Sequence, residues 1–121
     1  MIERDVKRMV QKLIAEYEQK GHVFWSYAPV QTGYGKHGVP DFLICLRGTL
    51  IAIETKVDCK EPTARQWQEL DGIAKAGGIS LVVDQHEVET VRLVFDEVVK
   101  GFSECAALHA RENRSFYPHH V

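Results

Sequence analysis

An α/β fold, with a mixed central sheet flanked by helices in the order α-β-β-β-α-β-α, is predicted by three features of this 121-residue sequence. The first twenty residues repeat apolar positions with the period of a helix. Two continuous apolar runs, Phe42 to Leu46 and Leu50 to Ile53, meet across a glycine-containing turn. A capped helical stretch then leads into another apolar run, "ISLVV", giving the strand, helix, strand order of an α/β protein.

In "IERDVKRMVQKLIAEYEQKG", Val6, Met9, Val10, Leu13, Ile14 and Tyr17 line one helical face, and Gly21 is suited to end the helix. Glu3 lies three residues before Val6 and seven before Val10. It therefore continues the core-facing stripe, and its carboxylate points inward or along an edge. "HVFWSYA" is rich in β-branched and aromatic residues and reads as a strand. "PVQTGYGKHGVP", with three glycines between two prolines, reads as a loop.

Phe42 to Leu46 and Leu50 to Ile53 have the unbroken apolar character of strands covered on both faces. They should pair as a hairpin over Arg47-Gly48, or over Arg47-Gly48-Thr49. In "PTARQWQELDGIAKAGG", Thr63 and Gln66 have capping-box spacing, Trp67, Leu70, Ile73 and Ala74 share a face, and a Gly-Gly pair stops the helix. "ISLVV" reads as a further buried strand. Asp84 and Glu87 can cap a third helix whose inner face holds Val88, Val91, Phe95, Val98 and Val99. The signal fades after Gly101, where "ECAALHARE" reads as a short helix and "NRSFYPHHV" as a tail. The expected division is a core over residues 1–100 and a C-terminal extension over 101–121.

The composition, 45% hydrophobic and 26% charged, matches that of an ordinary soluble globular protein and does not indicate disorder. The longest apolar run is too short to span a membrane, and the N-terminus lacks a secretion-signal pattern, so a cytoplasmic protein is expected. Three cysteines without CxxC spacing give neither a disulfide framework nor a zinc site. The net charge of −2 argues against indiscriminate polyanion binding. Met1 to Arg65 nevertheless carries 10 positive and 8 negative charges, against 5 and 9 in the remainder, so a polyanion would meet the first half.

The hairpin ends carry the chemistry. If the turn comprises Arg47 and Gly48 alone, pairing outward from Leu46 and Thr49 sets Asp41 opposite Glu54, with Cβ atoms roughly 4.5–5.5 Å apart. Lys56, two positions on, shares that face. Two carboxylates so close are relieved by a proton or a divalent cation, and an ammonium beside them suits phosphodiester hydrolysis. A three-residue turn would send Glu54 to the other face. The plainer alternative is that Asp41 caps a strand and that Glu54 and Lys56 are ordinary charges at a strand end.

Pro40-Asp41 followed by Glu54-Thr55-Lys56 resembles the PD-(D/E)XK nuclease signature. The surrounding "KGHVFW", "GVPDFLICLRG", "IAIETK", "TARQWQEL" and "AGGISLVV" resemble its VRR-NUC branch, the virus-type replication-repair nucleases, over residues 1 to about 100. The resemblance implies a restriction-endonuclease-like αβββαβ core and a Mg²⁺- or Mn²⁺-dependent endonuclease with one or two ions per site. It implies Asp41, Glu54 and the Thr55 carbonyl as metal ligands, Lys56 as the catalytic lysine, Glu3 as an acid completing the metal shell, and Gln66 as the family's motif glutamine. Glu3 and Gln66 also have plain readings, as a helix-dipole partner and a capping-box residue. Small members of the family are similar to Holliday junction resolvases, which implies branched DNA as substrate and a homodimer, in a bacterial or phage-infected cell. Tyr34, Lys36, His37, Lys60 and Arg65 are the candidate DNA contacts. The third helix and residues 101–121 are candidates for the dimer interface. Rival readings are a non-catalytic branched-DNA-binding protein on the same scaffold, and a monomeric nuclease trimming flaps or ends.

Overall fold

The computed structural model describes residues 1–22, 24–30 and 35–112, the stretch 102–112 by its backbone alone. Its elements are α1 (Glu3–Gln19), β1 (Phe24–Tyr27), β2 (Phe42–Leu46), β3 (Thr49–Thr55), α2 (Ala64–Lys75), β4 (Ile79–Val83) and α3 (Val88–Glu112). The four strands form one sheet in the order β1-β2-β3-β4. The first three are antiparallel neighbours and β4 runs parallel to β3, so the sheet is mixed as expected.

Arg47 and Gly48 both adopt positive φ, 50° and 91°, the two-residue hairpin geometry whose twist matches that of the flanking strands. Leu46 accordingly pairs with Thr49, Cys45 with Leu50, and Phe42 with Ile53. The three-residue turn is thereby excluded. Strand β3 runs to Thr55, two residues past the apolar run, because β4 extends the ladder along its other edge as far as Thr55 and Val83.

One face of the sheet builds the core. Phe42, Ile44, Leu46, Ile51 and Ile53 point into it and are buried against Val10, Leu13, Ile14 and Tyr17 of α1 and Val88, Val91 and Phe95 of α3. Phe95 meets Tyr17 and Phe24 edge-on, at centroid separations of 5.0 and 5.8 Å. The Tyr17 hydroxyl donates to Asp96, and Arg92 pairs with Glu16, which clasps α1 to α3. Burial, then the Asp96 carboxylate, push the Tyr17 phenol up to about 12.

Helix α2 lies over the opposite face, beside β4, where the Ser80 hydroxyl donates to the Leu70 carbonyl at 2.6 Å. It packs mainly against β4, so the expectation of cover on both faces holds for β3, buried throughout from Ile51 to Thr55, but not for β2, which alternates buried and half-buried residues, with Leu43 and Cys45 on the thinly covered face. Strand β4 is likewise mostly half-buried, because it is a sheet edge. Met9, Trp67 and Ala74 are exposed where the periodic patterns placed them inward, since each sits at the rim of its helix's packed stripe. The short helix expected after Gly101 is no separate element: α3 continues unbroken from Val88 to Glu112. No helix among the described residues is long and apolar enough to cross a membrane.

Candidate active site

At the end of the sheet where β2 begins and β3 finishes, the N-terminal turns of α1 and α2 approach from opposite faces. The paired ladder stops at Phe42 and Ile53, and Asp41 turns out of it. Its Oδ2 accepts from the Thr55 backbone N–H at 2.8 Å and from the Thr55 hydroxyl at 2.6 Å. Its Oδ1 lies 3.3 Å from the Lys7 ammonium. The side chain thus completes the sheet where the strand gives out, and its carboxylate is fixed from three directions.

Glu54 is 1% exposed. Its Oε2 accepts from Gln66 Nε2 at 3.0 Å and lies 3.8 Å from Lys56 Nζ. Its Oε1 is buried without a hydrogen-bond donor among the described residues. Burial first, and then the neighbouring Asp41 carboxylate, push the Glu54 carboxyl up to about 8, while Lys56 draws it the other way. Asp41 and Glu54 therefore share one locality, as the hairpin register implies, although Asp41 is no longer a ladder partner. Lys56 Nζ is also 3.8 Å from Glu3 Oε1, so the first-helix acid closes the far side of the ammonium.

Gln66 does two things with one amide. Its Oε1 accepts from the Thr63 N–H at 2.9 Å, closing the capping box, while its Nε2 holds Glu54. Capping and site contact, which appear from sequence to be competing uses, coexist because the amide has two ends.

The candidate DNA contacts divide. Lys36 pairs with Glu69 of α2 at 3.0 Å, and Arg65 donates from Nε to the His37 carbonyl at 3.4 Å, so this loop is strapped to the start of α2. Gly38 makes the strap possible: its φ is +78°, and a Cβ there would lie 2.7–2.9 Å from Arg65 atoms. The His37 and Arg65 side chains are otherwise exposed, as is Lys60, which borders a cleft of about 220 Å³ with Lys56, Cys59 and Trp67. Beneath that cleft, buried Asp84 accepts from the Cys59 and His86 N–H groups at 2.9 and 2.8 Å, and the Cys59 thiol and those bonds hold its carboxyl below the usual range. Asp84 thus ties the chain after Lys56 to the turn before α3. Tyr34 lies outside the described residues.

Lys7 escapes the sequence reading. It stands one helical turn after Glu3, and that i, i+4 spacing is the signal that brings both residues to the same end of the sheet.

Among the described residues no three His, Cys, Asp or Glu side chains group as a ready-made metal cage. The site offers two adjacent carboxylates, one with a buried and unsatisfied oxygen. That donor set suits a hard divalent cation that keeps several of its waters, as Mg²⁺ does.

The arrangement defines a class: a mixed α/β sheet carrying an acidic pair and a lysine at the open end of its central hairpin. No family model matches the chain, and no curated protein matches it. A solved structure described as "VRR_NUC domain" superposes with a TM-score of 0.57 and 22% identity, covering 74% of this chain and 91% of that one. The chain has the fold of a VRR-NUC domain.

Proposed function

We propose that the protein is a divalent-metal-dependent endodeoxyribonuclease that hydrolyses phosphodiester bonds, acting on branched DNA as a homodimer. The observation that carries this reading is the desolvated Glu54 carboxylate, with one orphaned oxygen, beside Asp41 and 3.8 Å from the Lys56 ammonium. The VRR-NUC fold supports it.

Asp41, Glu54 and the Thr55 carbonyl would hold one or two Mg²⁺ or Mn²⁺ ions, with Glu3 as a further acid within reach. A bound ion would polarise the scissile phosphate and acidify a water. This chain's own residues do the rest. Thr55 fixes the orientation of Asp41 through two hydrogen bonds, and Gln66 fixes that of Glu54. Lys56, 3.8 Å from both Glu3 and Glu54, would orient the attacking water and offset charge developing on the phosphate. Lys7 neutralises Asp41 until a cation does so, and is then free to meet a phosphate oxygen. Lys36, His37, Lys60 and Arg65 lie on surfaces flanking the site and would contact the DNA backbone, which positions a substrate without reading its sequence. For the homodimer, the reading takes the apolar groove of Ile79, Leu93, Val94 and Val98 along α3 as the face a second copy would cover.

Nicking of a synthetic four-way junction tests the reading. Cleavage should require Mg²⁺ or Mn²⁺ and fall at least 100-fold in Asp41→Asn, Glu54→Gln and Lys56→Ala, in line with the loss of preorganised electrostatic groups. Absence of cleavage by the wild type, or full cleavage by either acid variant, overturns it.

One observation favours a second reading. Lys7 stands 3.3 Å from Asp41 and Lys56 3.8 Å from Glu54, so each acid has a cation of the chain beside it. A non-catalytic branched-DNA-binding protein on this scaffold would bind junctions without divalent ions and would tolerate Lys56→Ala.

A further inference from the structure

The face of the sheet that carries Glu54 and Lys56 is covered by α2 only toward β4. On β1 it presents Trp25 and Tyr27, which are 58% and 52% exposed. Their rings lie at 28° to one another with centroids 6.2 Å apart. The register ties this pair to the candidate site. Tyr27 is opposite Leu43, and Leu43 is opposite Ala52, two residues before Glu54. Side chains at these positions share a face, so Tyr27 stands about 12 Å from Glu54 in backbone terms, two strands across and two residues back.

Two large aromatic rings lying near-parallel in the open offer a flat apolar surface with polarisable faces. Their exposed area is roughly 250 Å², well under the roughly 800 Å² that each partner contributes to a stable protein interface. A second copy of the chain is therefore a poor fit, but one or two flat aromatic ligands are a good one. Beside α2 the exposed Arg65, whose Nε donates to the His37 carbonyl, is a cation that could accompany a polyanion, whereas Lys36 and Lys56 are paired with Glu69 and Glu54.

We propose that Trp25 and Tyr27 form a stacking platform for an unpaired nucleobase of the strand being cut. This rests on the nuclease reading and deepens it by naming what that site selects. In a duplex both faces of each base are covered by neighbours, so only a base freed at a branch, flap or gap can stack on a side chain. The platform accordingly favours DNA in which paired and unpaired segments meet within reach of Glu54, which gives structure selectivity without sequence readout.

The test uses fluorescence in a Trp67→Phe background, where Trp25 is the remaining tryptophan of the two in the chain. With EDTA present to prevent cleavage, a short single-stranded oligonucleotide or a flapped duplex should quench Trp25, while a blunt duplex should leave it nearly unchanged. Trp25→Ala and Tyr27→Ala should weaken binding to the flapped substrate roughly 5- to 100-fold, the range expected for one lost stacking partner. Duplex binding should change less than about 3-fold, and Trp25→Phe should retain most of the affinity. Both side chains are more than half exposed, so these variants keep the core intact. Equal quenching by blunt duplex, absence of quenching, or alanine variants that bind as wild type would overturn the platform. So would conversion of a dimer to a monomer by Trp25→Ala in sedimentation, which would assign the face to a second copy. The two readings fail separately: quenching without any cleavage by wild type removes the nuclease, whereas cleavage of flap and duplex alike by the alanine variants removes only the platform.

Discussion

Replacing Glu54 by Gln should abolish metal-dependent cleavage and, in the absence of metal, make the protein more stable. The carboxyl is pushed from an ordinary 4.5 up to about 8 by burial and by Asp41. An acid with a raised folded-state pKa resists ionisation that the unfolded chain accepts freely. Between pH 4.5 and 8 the folded state therefore binds one more proton than the unfolded state, and stability falls as pH rises through that window. At pH 7 the span is about 2.5 pH units at about 1.36 kcal/mol each, an upper bound of about 3.4 kcal/mol. Relaxation around the coupled acids reduces this to about 2 kcal/mol. Glutamine keeps the shape, can still accept from Gln66, adds a donor toward Asp41 and never ionises. Urea unfolding of both proteins in EDTA from pH 4.5 to 8.5 measures the difference, which cancels the titration of every group that does not sense the Glu54 charge. The two should match near pH 4.5, and the variant should lead by about 2 kcal/mol at pH 7. Saturating Mg²⁺ should stabilise the wild type and not the variant. A variant that is less stable at pH 7, or a difference that does not change with pH, would refute the reasoning that Glu54 is held in a site built for a cation.

Three other substitutions probe the supports around that acid. Thr55→Val removes the hydroxyl that donates to Asp41 at 2.6 Å and should cost about 1–2 kcal/mol in thermal or denaturant unfolding, together with a weaker apparent Mg²⁺ affinity in the cleavage assay. Gln66→Ala takes away the side-chain half of the capping box and the Glu54 partner, leaving the Thr63 cap in place; a stability loss of about 1 kcal/mol, with a fall in kcat larger than any rise in KM, is expected from denaturant melts and steady-state nicking. Gly38→Ala meets both a φ of +78° and Arg65 atoms within 2.9 Å, so it should destabilise by about 2 kcal/mol and raise KM for DNA by displacing the loop that Arg65 holds.

Much of this was legible from residue order because local rules act at the decisive points. Arg47-Gly48 forms a two-residue hairpin with both residues at positive φ, and that turn sets the register bringing Asp41 near Glu54. Thr63 and Gln66 announce the start of α2 by spacing alone. What was not legible depends on how layers meet. The apolar runs of β2 and β3 look alike, but only β3 is covered on both faces beyond Leu50, because α2 stops short of β2. That shortfall is also what leaves Trp25 and Tyr27 in the open. Lys7 reads as one more cation on a charged helix until α1 is laid against the sheet end, where it meets Asp41. The second use of Gln66 similarly depends on the distance between two elements that no spacing rule gives.

Anomalous diffraction from Mn²⁺-soaked crystals measures the central claim most directly. The account predicts a peak about 2.1 Å from an oxygen of Asp41 and an oxygen of Glu54 together, with the Lys7 ammonium displaced from Asp41. A peak bound by only one of these carboxylates, or none at millimolar Mn²⁺, would contradict it.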